Sequence, residues 1–383
     1  MLEQYLWYTC ATSIVGNQAR MLKYLSGIFA TISLLLATQM AAAVEIDQLD
    51  SSTVTVDSRA NNDRSSALQQ ALFNVLLLNS GAKELRDNAQ IQAALSNASS
   101  LVVQYSYEQA ADGLQLRATF EHDKVIRLLR DAGLPVWGKQ RPLTLVWLAS
   151  DADGERHLVA DESTAEERQA FAKFSSVRGI PLMFPLMDLD DLMAVNVNDV
   201  RGQFADTVAR ASARYQADYF AMVTFDSSAN NQVRYQMNLY ARNSQATPFT
   251  TALVSRSGDA QDRGTAIDEI MLSLSDYFVQ QYAVTDSGQA DVAQIEFNNV
   301  AHMRQLVEID NFFSQLSAVK NFYVKSVQGN HVIYQLQLFG SRDDLSNVLR
   351  LEQRIRLDDN QPISSPMDNT NNNLIGVYRW DAK

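Results

Sequence analysis

An acidic cluster follows an apolar segment in the middle of the chain. Residues 181–187 are apolar, and Asp188, Asp190 and Asp191 come directly after them. Carboxylates grouped at the end of a strand can bind a magnesium ion or act as an acid/base pair. Aspartates at the start of a helix can instead accept hydrogen bonds from its free amide groups. Because no lysine, histidine or phosphate-binding loop accompanies the cluster, helix capping is the favoured interpretation.

Other residues that could support catalysis or metal binding are scattered. The histidines, His122, His157, His302 and His331, lie far apart and form no zinc-binding motif. Residues 151–155 read Asp-Ala-Asp-Gly-Glu, but the glycine comes too early for a calcium loop, so a polar turn is favoured. The chain contains neither a Gly-x-Ser-x-Gly elbow nor a glycine-rich phosphate loop. The sequence therefore predicts no catalytic residue, metal or cofactor.

Three tryptophans are the candidate binding residues. Trp137 and Trp147 flank a Pro- and Gly-containing segment, and Trp380 lies near the C-terminus. Aromatic faces of this kind can line a groove for a peptide or a glycan. Their helical or alternating surroundings favour positions in the core, with Trp380 as the best candidate for an exposed anchor.

Composition narrows the class of protein. The chain has 383 residues, of which 46% are hydrophobic and 20% charged, and its formal net charge is −12. This composition is typical of a globular protein, and the length is enough for two or three domains. A negative surface repels phosphate backbones, so we expect no nucleic-acid partner.

The N-terminal region carries an export signal. Lys23 precedes an apolar run over residues 25–37, and small residues follow at Ala41 and Ala43. These are the three parts of a cleavable signal peptide, with cleavage predicted before Val44. Residues 1–20 do not belong to this pattern, so we expect translation to start at Met21, with Met1 as the alternative.

The only cysteine, Cys10, lies before the predicted cleavage point. The mature chain would therefore have no disulfide or thiolate chemistry. The apolar run is also shorter than the length of about 20 residues that a membrane span requires. We expect a periplasmic protein of a Gram-negative bacterium with no permanent membrane span.

The elements predict an α+β (mixed α/β) fold of three small units. After residues 1–43, an α+β unit covers residues 44–140 and ends at a Pro-Gly-Pro segment around Trp137. A mixed α/β unit over residues 141–284 begins with a strand, residues 143–149, whose continuous apolar character indicates burial on both faces. The last unit, residues 290–383, shows the β-α-β-β-α-β order of a ferredoxin-like fold, followed by a polar tail and a predicted edge strand. The other predicted helices are 64–78, 85–95, 123–131, 164–176, 199–215 and 266–282. The other strands predicted in the second unit are 182–186, 219–226, 233–242 and 249–256.

Several segments resemble a known family. Residues 67–81, the strand pair at 105–107 and 116–120, and the stretches 133–138 and 141–147 resemble an exported Gram-negative family, the domain of unknown function DUF2066. The resemblance extends over most of the mature chain and implies export without an established activity. Residues 204–224 are also similar to curli-secretion lipoprotein and penicillin-binding-protein-activator domains, which implies that they assemble or regulate envelope machines by binding.

These observations favour a non-enzymatic protein that binds or scaffolds an envelope protein, with its oligomeric state left open. One alternative is a periplasmic hydrolase that acts on cell-wall material through Asp188, Asp190 or Asp191. Another is a small-ligand groove between the first two units, near Trp137.

Overall fold

The computed structural model describes residues 48–110, 113–151, 155–227, 232–242, 251–289, 291–358 and 373–381. They belong to one compact unit, Ala43–Lys383, and form an α+β fold with three sheets, as the sequence predicts. The strands are β1 Ser51–Thr55, β2 Val102–Ala110, β3 Gly113–Phe120, β4 Thr144–Ser150, β5 His157–Leu158, β6 Leu182–Met183, β7 Tyr219–Ser227, β8 Val233–Ala241, β9 Val254–Ala260, β10 Asp291–Phe297, β11 Val319–Gln328, β12 His331–Leu338, β13 Ile355–Leu357 and β14 Leu374–Trp380. The α-helices are α1 Asn61–Ser80, α2 Ala89–Ser96, α3 His122–Asp131, α4 Glu166–Arg178, α5 Leu189–Ala194, α6 Val197–Arg201, α7 Ala205–Ser212, α8 Arg263–Tyr282, α9 Met303–Gln315 and α10 Arg342–Leu349.

The first sheet is antiparallel, in the order β1-β3-β2, and α1 packs on it. Helix α1 buries Leu68, Leu72 and Leu76, which recur at helical spacing, so its apolar stripe faces the sheet. The helix ends at Gly81, whose φ of 64° lies in the left-handed region that glycine tolerates. A Cβ at this position would also collide with Val279 of α8. Gly81 is therefore required both for the helix end and for the close approach of α8.

The second sheet has the order β5-β4-β7-β8-β9, with β6 beside β4. Every residue of β4 is buried, which confirms the prediction of a strand covered on both faces. Val146 and Leu148 pack against α4 and α8, whereas Leu145 and Trp147 pack against α6 and α7. Successive side chains of β4 point to opposite faces of the sheet, and each face is covered by helices.

The third sheet has the order β11-β12-β10-β14-β13. Its elements follow the predicted β-α-β-β-α-β succession from β10 to β13. The prediction that the last strand lies at an edge is wrong, because β14 inserts between β10 and β13, parallel to the former and antiparallel to the latter. Trp380 enters the core of this sheet, and burial of its ring accounts for the inner position of the strand.

Three further predictions from the sequence need correction. The single helix predicted over residues 199–215 is divided into α6, α7 and a short 3₁₀ turn, because a φ of 57° at Gln203 interrupts the helical backbone. The strand predicted over residues 182–186 has only the two residues of β6. The strand predicted over residues 249–256 is β9, which begins at Val254. Each sheet draws its strands from one of the three predicted units, and the domain boundaries themselves stay a prediction.

A buried arginine links the ends of α1 and α4. Arg141 is 2% exposed and donates to the backbone oxygens of Leu78, Trp137, Gly138 and Gly179 at 2.8, 2.9, 2.6 and 3.3 Å. Its guanidinium also lies 3.6 Å from the centre of a Trp137 ring. Leu78 is in the last turn of α1 and Gly179 follows α4, so the cation lies where two helices present unpaired carbonyls.

Candidate functional site

Helix α5 presents its apolar side chains to solvent. Leu189, Leu192 and Met193 are 70%, 61% and 79% exposed, and the preceding Leu186 is 58% exposed. Positions 189, 192 and 193 lie on one helical face, because residues three and four apart are neighbours on a helix. We call these four residues the α5 surface. Contiguous exposed apolar groups of this kind mark interaction sites in soluble proteins.

The inward face of the same helix carries a carboxylate. Asp191 is 1% exposed, and one of its oxygens accepts hydrogen bonds from the backbone N–H of Met187, at 2.9 Å, and from the hydroxyl of Tyr215. The other oxygen lies 3.2 Å from Nη1 of Arg214. The hydroxyl of Tyr215 also accepts from the N–H of Leu186, at 2.8 Å. Polar contacts, rather than apolar packing, therefore hold α5 against the protein.

Burial, and then the hydrogen bond to Asp191, raise the pKa of Tyr215, so its hydroxyl stays protonated as the donor to Asp191. Met187 adopts a φ of 55°, which is unfavourable for a side-chain-bearing residue. The hydrogen bond from its N–H to Asp191 stabilises this turn into the helix. The backbone turn at Met187 and the buried carboxylate of Asp191, which anchors the helix, together determine which face of α5 points outward.

Asp188 caps α5, accepting from the N–H of Asp191 at 3.1 Å. Both of its oxygens also receive hydrogen bonds from Arg214, at 2.7 and 2.6 Å. The Arg214 contact is the main reason that the pKa of Asp188 falls to about 2. Asp190 is different, because its side chain is 83% exposed and lies 3.9 Å from Arg214. The α5 surface thus has an acidic margin.

The capping interpretation of the acidic cluster is confirmed for Asp188. Asp190 points to solvent, and Asp191 is buried with its oxygens occupied by structural donors. The lowered pKa also makes Asp188 a weak base. This arrangement does not support the hydrolase hypothesis. Within the described ranges, no group of three or more His, Cys, Asp or Glu is placed to hold a metal ion.

The three candidate tryptophans are buried, with exposures of 0% for Trp137 and Trp147 and 1% for Trp380. Trp147 donates its indole N–H to Ser212 at 2.9 Å, and Trp380 donates its own to Glu308 at 3.0 Å. Their interpretation as binding residues needs correction, because their rings are covered by the protein's own helices and sheets. Trp380 in particular is a core residue and not an exposed anchor.

Sequence reasoning missed the α5 surface and its anchor. An apolar stripe at positions 189, 192 and 193 ordinarily predicts a buried helical face. The neighbouring acidic cluster marks the same segment in the sequence, but it predicts a helix cap and not an exposed apolar face. Tyr215 and Arg214 lie more than twenty residues away in sequence, and nothing in their local pattern links them to Asp191.

The other predicted site residues, Ala41, Ala43 and Val44, lie outside the described part of the chain. In the described part, no helix is both long and apolar enough to cross a bilayer.

Two family models match separate parts of the chain. Residues 43–138 match a domain of unknown function, DUF8605, and residues 291–381 match DUF2066. The resemblance to DUF2066 over most of the mature chain is thereby corrected, because that family covers the C-terminal part only. Most of the segments that suggested it lie in the range of DUF8605. Comparison with curated proteins gives no match. The α5 surface lies between the two matched ranges, so its role must be argued from its own residues.

Proposed function

We propose that this protein is exported to the periplasm, loses its leader after Ala43 and there binds an envelope protein through the α5 surface. The observation that carries the binding proposal is the exposure of Leu186, Leu189, Leu192 and Met193 on a helix anchored by a buried carboxylate. Leaving four large apolar side chains in water forgoes roughly 1.5–3 kcal/mol each relative to full burial. A partner that covers them recovers part of that free energy.

The partner is a protein with an apolar patch and a basic margin. Asp188 is paired with Arg214, but the exposed Asp190 borders the α5 surface and complements lysine or arginine on the other side of an interface. A bilayer surface fits less well, because anionic headgroups would face these carboxylates. Helix α5 has six residues and is about 9 Å long, which offers an interfacial helix little area. The resemblance of residues 204–224 to envelope-assembly domains supports the same class of partner.

We expect a photo-crosslinking amino acid at Leu192 to trap a defined envelope protein in living cells. The matched control places the same amino acid at Val103, which is 64% exposed on β2 of the first sheet. A partner that is trapped from both positions alike, or from neither, contradicts the proposal.

With the trapped partner purified, calorimetry measures the affinity of the double variant Leu189→Ser, Leu192→Ser. We expect binding weaker by about 100-fold, because apolar anchors at an interface centre each contribute about 1–2 kcal/mol. The control is Val103→Ser with Leu357→Ser, which removes two equally exposed apolar groups from other sheets. Exposed substitutions change folding stability by only about 0.5 kcal/mol, so the test separates binding from folding. Equal affinities for the two double variants would argue against the α5 surface.

Export makes a separate prediction. Replacing Ala43 with arginine should abolish cleavage, because the peptidase accepts only small residues at this position and at Ala41. Mass spectrometry of the periplasmic wild-type protein should give Val44 as the first residue, and the variant should accumulate as uncut precursor. Ala42→Gln is the control, since the middle position of the small-x-small pattern is permissive. A wild-type protein that stays uncut in the cytosol would refute the proposed location.

A further inference from the structure

A cavity of about 400 Å³ lies between α3 and the segment that leads from α9 into β11. Its wall is formed by one side of α3, the connecting segment around Gly138 and the chain that follows α9. Three cations line it, Arg127, Arg130 and Lys139, together with the half-buried His122. Asp123 is the one carboxylate among the residues of this wall. Such an excess of positive charge contrasts with the net charge of −12 for the whole chain.

The three cations have no carboxylate within ion-pair distance among the described residues. Arg130 is held by its Nη2, which donates to the backbone oxygen of Ser317 at 2.8 Å, and by the ring of Phe339, 3.4 Å from the guanidinium. Its Nη1 is buried and meets no acceptor in the described part of the chain. An unpaired buried donor on a cation is costly, and an anion placed against it would remove that cost.

Burial is the main cause of the pKa shifts at this cavity. Burial lowers the pKa of Arg130 to about 10, with Asp286 acting in the opposite direction. Burial, and then the charge of Lys139, lower the pKa of His122, although Asp50 and Asp123 partly oppose this. Both shifts disfavour the charged forms of Arg130 and His122, as burial without a close ion-pair partner does.

An unpaired acceptor lies in the same wall. Asn79 is fully buried, and its amide N–H groups donate to the backbone oxygens of Leu49 and Val75, at 2.6 and 2.8 Å. Its Oδ1 has no donor among the described residues. A phosphate group has oxygens that accept from arginine and lysine, and in its monohydrogen form a hydroxyl that can donate to an amide oxygen.

We propose that this cavity binds a phosphate group, either as free phosphate or a small phosphomonoester, or as the headgroup of a phospholipid. Arg130 supplies the central donor, and Arg127 and Lys139 supply charge from the rim. The volume is in the range of small-ligand sites and leaves room for an organic substituent beyond the phosphate. This site is separate from the α5 surface and does not depend on the proposed partner.

The test uses the mature chain, Val44 to Lys383, with calorimetry of phosphate and of glycerol 3-phosphate, and with glycerol as the uncharged control. Flotation with vesicles of phosphatidylglycerol, against neutral phosphatidylcholine vesicles, tests the lipid source. The variant Arg127→Gln, Lys139→Gln should weaken binding by about 100-fold, since each charge-assisted contact contributes about tenfold or more. Arg156→Gln with Lys325→Gln removes the same charge at exposed positions elsewhere and should leave binding nearly unchanged.

If the wild-type chain binds the soluble phosphates and only the cavity variant loses this binding, the ligand is a soluble phosphate. If the wild-type chain binds only the anionic vesicles and only the cavity variant loses that binding, the ligand is a lipid headgroup. A thermal unfolding scan of both double variants verifies that they are folded. Failure of the wild-type chain to bind phosphate, glycerol 3-phosphate and anionic vesicles overturns the proposal. Binding that falls equally in the two double variants overturns it as well, because it would then reflect overall charge.

Discussion

Replacing Arg141 with methionine is expected to lower the free energy of unfolding by about 3–5 kcal/mol. The guanidinium is buried and donates to four backbone oxygens, and each of these would remain in the interior without a donor. The carbonyls of Leu78 and Gly179 cannot turn to solvent, because they belong to the ends of α1 and α4. Methionine would fill the space over Trp137 but could supply no hydrogen bond.

The loss is expected although no carboxylate pairs with Arg141 within the described ranges. Burial lowers the pKa of its guanidinium well below the ordinary value. The guanidinium nevertheless donates only to hydrogen-bond acceptors, and the π face of Trp137 also attracts a cation. The charged form is therefore retained. Two helix ends contribute further negative potential at the same point.

Urea unfolding followed by tryptophan fluorescence measures this prediction, since Trp137 stacks on the group that is removed. Arg141→Lys should lie between the wild type and the methionine variant, because an ammonium reaches fewer of the four carbonyls. Arg156→Met, at an exposed position, should change stability by no more than about 0.5 kcal/mol. A methionine variant as stable as wild type would show that the four carbonyls find other donors.

Replacing Asp191 with alanine should release α5 and abolish partner binding without changing one apolar side chain of the α5 surface. The variant leaves the hydroxyl of Tyr215 and the N–H of Met187 without their buried acceptor, at a cost of about 2–4 kcal/mol. Arg214 also loses one of its carboxylates. The helix buries little apolar area of its own. The contacts that remain, from Arg214 to Asp188 and from Leu186 to Tyr215, lie at its N-terminal end and do not replace Asp191.

Hydrogen exchange over residues 186–195 measures the release, and calorimetry with the purified partner measures binding. Asp190→Ala is the matched control, since the adjacent carboxylate is 83% exposed. Asp191→Asn keeps the shape but not the charge and should give an intermediate result. Unchanged exchange in the alanine variant would mean that apolar packing, and not Asp191, holds the helix. Released exchange with unchanged affinity would place the partner elsewhere.

Much of the architecture follows from short-range sequence patterns. The apolar repeat in α1 with a glycine at its end, and the continuous apolar run of β4, predict the burial that the structure has. These predictions succeed because apolar spacing reports which face of an element must leave water. The prediction of one continuous helix over residues 199–215 fails, because the positive φ of the non-glycine Gln203, which interrupts the helix, has no marker of this kind.

The sequence predicts only which segment of the chain carries the candidate site, and not which side chains face solvent. The capping role of Asp188 was predicted correctly, since it depends on residues three positions apart. The outward orientation of Leu189, Leu192 and Met193 was not, because the same stripe would be buried in most helices. Asp191 reverses the usual orientation through Tyr215 and Arg214, which only the fold brings to it.

From its sequence alone this chain is an acidic α+β protein with a predicted export signal and no recognisable catalytic motif, because composition and local spacing are properties of the chain itself. Only the tertiary structure decides that α5 faces outward, that Arg141 joins two helix ends and that three cations without an ion-pair partner among the described residues line one cavity. Each of these features brings together residues that are distant along the chain. Their contribution to stability or binding depends on which polar groups are buried away from water, and the local sequence does not specify this.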